Sequence, residues 1–134
     1  MDGATTAVDP LRRSRQANLL EEQGRLGDAA RLWRDAVANG DRFTRFARFR
    51  LSTVLERMGQ MAEAEHVWRE AVAAGDSFAQ IQLAVLMERQ GRMTEAERVW
   101  WNAAAAGDQR ARRRHADLLQ KQRRTAEAEP DMPS

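Results

Sequence analysis

Residues 59–76 read GQMAEAEHVWREAVAAGD, and the same frame occurs twice more: GRLGDAARLWRDAVANGD at 24–41 and GRMTEAERVWWNAAAAGD at 91–108. Gly24, Gly59 and Gly91 each stand nine residues before a tryptophan (Trp33, Trp68, Trp100) and sixteen before a second glycine (Gly40, Gly75, Gly107). The spacings between frames are 35 and 32 residues. Self-similarity at that period is the mark of a helical solenoid, in which each repeat buries its apolar face against its neighbours.

Inside each frame the apolar residues fall at steps of three and four. They are Leu26, Ala29, Ala30, Trp33, Ala36 and Val37 in the first copy; Met61, Ala64, Val67, Trp68, Ala71 and Val72 in the second; and Met93, Ala96, Val99, Trp100, Ala103 and Ala104 in the third. Such steps draw one stripe along an amphipathic helix. Gly40, Gly75 and Gly107 follow and suit a left-handed helix stop, and Asp41, Asp76 and Asp108 then stand where they can cap the next helix.

A partner helix is expected upstream of each frame, at about 10–23, 44–58 and 77–90. Seven residues before the frame glycine lie Ala17, Ser52 and Ala84, and four before it lie Leu20, Leu55 and Met87. Small residues admit a close neighbour and large ones fill the space between turns. The three additional residues of the longer spacing fall around Asp41–Thr44. A fourth copy begins, with RRTAEAE from Arg123 matching GRMTEAE from Gly91, and then stops. A terminal helix at about 109–122, closing the array, is expected.

The small residue, the glycine seven later, the alanines (Ala29, Ala64, Ala96), the aromatics (Trp33, Trp68, Trp100) and the alanines three beyond (Ala36, Ala71, Ala103) resemble the tetratricopeptide pattern. Gly75-x-x-x-Ala79-x-x-x-Leu83-Ala84 is similar to the junction of Sel1-like repeats, with alanine at its usual final glycine. Gly107-x-x-x-Ala111 begins alike, but His115 stands at the leucine position. The inter-repeat proline of the first family and the longer glycine-rich loop of the second are both missing. The resemblance covers about residues 10–129 and implies an all-α fold: three helix pairs wound into a right-handed superhelix, with a C-terminal capping helix. The repeats divide as about 10–40, 41–75 and 76–108, with a partial copy over 109–129. Residues 1–9 and 130–134 read as disordered flanks.

Composition sets the outer limits. One domain fits in 134 residues, and 43% hydrophobic with 31% charged residues is ordinary for a globular protein. With no cysteine there is neither a disulfide framework nor a thiolate metal site. The start, MDGATTAVDPLRR, has no signal-peptide core, no stretch reaches a membrane span, and a cytoplasmic protein with no membrane partner is expected. The net charge of +2 is unevenly spread: residues 109–124 hold six arginines and Lys121 against Asp117 alone.

Nothing in the chain reads as an active site. His66 and His115 lie in different repeats, and Glu63/Glu65 and Glu95/Glu97 recur two residues apart, pointing to different sides of a helix. No metal-ligand spacing or phosphate-cradling glycine motif occurs. No enzyme, cofactor or metal is expected.

The resemblance implies instead that first helices line a groove for an extended peptide or another protein. The residues at that position are Phe46 and Phe49 in the second repeat, Phe78, Ile81 and Val85 in the third, and Arg110 and Arg113 in the terminal helix. Leu11 and Ser14 are the first-repeat counterparts. An apolar patch beside a basic rim suits a peptide with apolar anchors and an acidic group. The alternative is that these side chains merely fill the seam between helices. Arg42, Arg45, Arg48 and Arg50, interleaved with Phe43, Phe46 and Phe49, read first as the wet face of an amphipathic helix and second as a single-strand platform. Arg110, Arg112, Arg113 and Arg114 spread around their helix, which favours a solvated cap over an acidic partner and leaves nucleic acid last. Two further readings stand beside the interaction scaffold: a homo-oligomerisation module, and a nucleic-acid accessory using the basic terminal helix.

Overall fold

A computed structural model of the chain describes residues 9–40 and 43–128, and among these it contains seven helices and no strand. They are α1 (Pro10–Glu22), α2 (Leu26–Asn39), α3 (Thr44–Arg57), α4 (Met61–Ala73), α5 (Ser77–Arg89), α6 (Met93–Ala105) and α7 (Gln109–Ala128). The sequence expected six of these within one or two residues at each end. The chain forms two compact units, one ending at Glu70 and the other beginning at Ala71. In the first, α1 packs on α2 and α2 on α3; in the second, α5 packs on α6 and α6 on α7. Within each unit consecutive helices thus cover one another, in an all-α, repeat-like arrangement.

Local chemistry ends and restarts the helices at the expected residues. Gly40 closes α2 with φ 63° and ψ 30°, a left-handed conformation that costs glycine nothing. Asp76 accepts from the Phe78 N–H at 3.0 Å, and Asp108 from the N–H groups of Arg110 and Ala111 at 2.9 and 3.1 Å. Asp9 caps α1 in the same way, through Leu11 N–H at 3.1 Å. Asp41 and Arg42, the flank 1–8 and residues 129–134 lie outside the described residues.

One boundary differs from expectation. The terminal helix does not stop near residue 122 but runs on to Ala128. In the three complete repeats the turn between paired helices is made at Gly24, Gly59 and Gly91, with φ of 77°, 78° and 77°. Arg123 occupies that position in the fourth copy. A side chain resists the left-handed conformation by roughly 1–2 kcal/mol, so no turn forms, and RRTAEAE extends α7 instead of starting a paired helix.

The three frame tryptophans are buried, with Trp33, Trp68 and Trp100 exposed by 1%, 2% and 5%. The small positions Ala17, Ser52 and Ala84 are buried with them. A buried indole N–H needs an acceptor. In the first repeat Trp33 Nε1 donates to Glu21 Oε2 at 2.9 Å, and in the third Trp100 Nε1 donates to Glu88 Oε2 at 2.9 Å. Both glutamates stand three residues before a turn glycine. In the second repeat Glu56 holds that place, but Trp68 Nε1 donates to Ser52 Oγ at 2.8 Å. Serine replaces the alanine found in the other two repeats, and its hydroxyl meets the indole first.

Each of those two glutamates is also gripped from the next first helix. Arg50 Nη2 on α3 donates to Glu21 Oε1 at 2.5 Å, and its guanidinium lies 6.0 Å from the Trp33 ring centroid. Arg114 Nη2 on α7 donates to Glu88 Oε2 at 2.7 Å and lies 5.6 Å from the Trp100 centroid. Arg50 and Arg114 are equivalent, nine residues before Gly59 and Arg123. A tryptophan, a glutamate and an arginine from three helices therefore form a repeating clasp, in which each member satisfies a charge or donor that burial would otherwise penalise.

Candidate partner-binding surface

On α3, Phe46 and Phe49 lie one turn apart and are 48% and 42% exposed. Phenylalanines left this open on a helix mark either a contact surface or an incomplete seam. Phe46 does part of both: its ring meets the Trp33 ring edge-on at 5.7 Å, with an interplanar angle of 82°, while nearly half its surface faces solvent. The clasp sits under the same helix, since Arg50 follows Phe49 and turns inward to Glu21.

In the second compact unit the corresponding residues behave differently from one another. Ile81 is buried, at 9% exposure, whereas Phe78 and Val85 are half-buried. Arg110 is exposed and holds its guanidinium 5.8 Å from the Phe78 ring centroid, a cation–π contact. Arg113 is exposed and has no ion-pair partner among the described residues. Ile81 can offer little area to a ligand, so within this unit the accessible elements are Phe78, Val85 and the two arginines.

Three arginines of α7 go to separate neighbours. Arg110 serves Phe78 and Asp108, Arg112 Nε donates to the Ala104 carbonyl at 3.2 Å, and Arg114 completes the clasp. Trp101 is 59% exposed, and its ring meets His115 edge-on at 4.8 Å. It therefore covers part of α7 while remaining largely open.

Asp108, the N-cap of α7, has a changed acidity. Burial works against its charge, but the Ala111 N–H, the Arg110 side chain and the Arg110 N–H more than offset this, and its pKa lies below the ordinary carboxylate value.

A cleft of about 520 Å³ lies between α2, α3 and α4 of the first unit. Val37, Leu51 and Val67 give it an apolar floor, and Arg34, Glu63 and His66 stand at its rim. Arg34 and Glu63 join at 2.6 Å, and His66 Nε2 lies 2.5 Å from Glu70 Oε1. The repeated acid pairs are divided among unrelated partners: Glu65 binds Arg69, Glu95 binds Arg92, and Glu97 accepts from Gln122 at 3.2 Å. Among the described residues no three His, Asp or Glu side chains gather as metal ligands, and no helix is long and apolar enough to cross a membrane.

Reasoning from sequence missed the clasp glutamates and the cleft. For the glutamates a signal was present: Glu21, Glu56 and Glu88 share one register, as do Arg50 and Arg114. The cleft has no such signal, because its lining comes from three helices at unrelated register positions. The sequence matches no protein-family model and no curated protein.

Proposed function

We propose that the protein is a helical-repeat interaction scaffold of the tetratricopeptide or Sel1-like kind. Its first helices take up a peptide or a helix of a partner protein, and it works in the cytoplasm without catalysis. With this reading goes the right-handed superhelix of those families. The observation that carries it is the pair Phe46 and Phe49 on α3, exposed one turn apart above a buried clasp. Phe78 beneath the Arg110 guanidinium adds a second aromatic site with a cationic edge, suited to a ligand with an acidic group. The division of the recurrent carboxylates among separate partners supports a non-catalytic reading.

Affinity capture with the whole chain and with a Phe46→Ala/Phe49→Ala variant, both checked by circular dichroism, tests this reading. Partners recovered with the wild type should be lost or reduced at least tenfold with the variant. Equal recovery would overturn it. Light scattering over a wide concentration range separates the homo-oligomerisation alternative, which requires a mass that grows with concentration.

A further inference from the structure

The paired helices show what a first helix needs on its second-helix side. In α3 the residues seven and four before the turn, Ser52 and Leu55, are 3% and 0% exposed. In α5 the equivalents Ala84 and Met87 are 0% and 2% exposed. The α7 equivalents are Ala116 and Leu119; both are exposed, Leu119 by 49%. The acceptor position is kept as well. Where Glu21 and Glu88 receive an indole N–H, α7 carries Gln120, exposed, whose amide oxygen can accept the same bond. Small residue, large residue and acceptor thus stand on α7 in the arrangement that receives a tryptophan elsewhere in the chain. Because Arg123 replaces the turn glycine, α7 continues to Ala128, and residues 123–128 extend the helix instead of folding back onto this face.

We propose that this face of α7 is a docking surface for an acidic, tryptophan-bearing amphipathic helix of a partner protein, seated as α4 and α6 are seated within the chain. The charge selects the occupant. Residues 109–124 carry seven cationic side chains against Asp117, and Arg113 and Arg123, which flank the open face, have no ion-pair partner among the described residues. A second α7 would set like charge against like charge. The tryptophan helices of a second copy are unavailable, since Trp33, Trp68 and Trp100 are already buried in their own repeats. The chain contains a fitting probe: residues 59–76, the α4 frame, carry four carboxylates against Arg69 alone.

The test is a fluorescence-anisotropy titration of a labelled 59–76 peptide with the full chain. Saturable binding is expected, weakened at least tenfold by Trp68→Ala in the peptide and at least tenfold by Leu119→Asp in the chain. Arg113→Glu/Arg123→Glu should weaken it several-fold, with a difference that shrinks as salt is added. Phe46→Ala/Phe49→Ala should leave it unchanged, which separates this site from the one on α3. Circular dichroism checks each variant, and Ala116→Arg blocks the same face if Leu119→Asp unfolds the chain. Absence of saturable binding, or binding indifferent to both face variants, overturns the proposal. A mixed-sequence single-stranded DNA that displaces the peptide and still binds the Leu119→Asp chain would assign α7 to phosphate instead. A concentration-dependent dimer dissolved by Leu119→Asp would assign the face to a second copy. Either result also overturns it.

Discussion

The Trp33 and Trp100 clasps use the same residue types in the same register, yet they differ in depth. Glu21 is 6% exposed and shares its load between two oxygens, Oε2 to Trp33 and Oε1 to Arg50, with Arg57 at 3.6 Å. Glu88 is 16% exposed and uses Oε2 for both Trp100 and Arg114. The arginines follow suit, Arg50 being 29% exposed and Arg114 45%. A charge pair withdrawn from water is costly to break, because the survivor is left unpaired in a poor solvent, whereas an open pair falls back on hydration. One motif can therefore be a structural lock at one place and a modest tether at another.

The tryptophans themselves should show the smallest difference between the two clasps and the largest effect. Trp33→Ala and Trp100→Ala should each cost roughly 3–5 kcal/mol in urea-induced unfolding. A loss below about 1 kcal/mol at either would mean that the indole is not core. Next comes the contrast itself: Glu21→Ala should destabilise by roughly 3 kcal/mol and Glu88→Ala by about 1–2 kcal/mol. Equal losses would show that burial does not set the strength of the clasp, and the reverse order would sink the comparison.

Smaller effects belong to the termini of α7. Replacing Arg123→Gly should lower helix content beyond residue 123 and cost about 1 kcal/mol, read by circular dichroism and amide exchange. Unchanged protection after residue 123 would remove the steric explanation for the long helix. At the other end, Asp108→Ala should cost about 1 kcal/mol. Because the folded pKa of Asp108 is depressed, its contribution is complete above its unfolded value near 4 and is lost as the pH falls through the folded value. A Asp108→Asn variant should therefore lose less stability than the wild type on acidification through that window.

The helix boundaries were legible because they depend on neighbours along the chain. Gly40 ends α2, Asp76 and Asp108 open α5 and α7, and three-and-four spacing places Trp68 on a buried stripe, all through contacts within a few residues. The end of α7 was misread for a reason of the same kind: RRTAEAE matches a second-helix start in composition, but without a left-handed glycine before it the helix has nowhere to turn. Of the surface residues singled out beforehand, Phe46 and Phe49 are open, while Ile81 is covered, and no property of phenylalanine or isoleucine in sequence distinguishes those outcomes.

What the amino-acid order determined alone is the repeat, its period and the residues at which α1 to α6 start and stop, since these follow from local backbone preferences and one-helix periodicity. Only the tertiary structure decided which acceptor each buried indole finds, how deeply each glutamate lies, and which face of α7 stays open. Those properties depend on atoms brought together from different helices, such as the Ser52 hydroxyl intercepting Trp68 and Arg114 reaching Glu88, and therefore on packing distance instead of order along the chain.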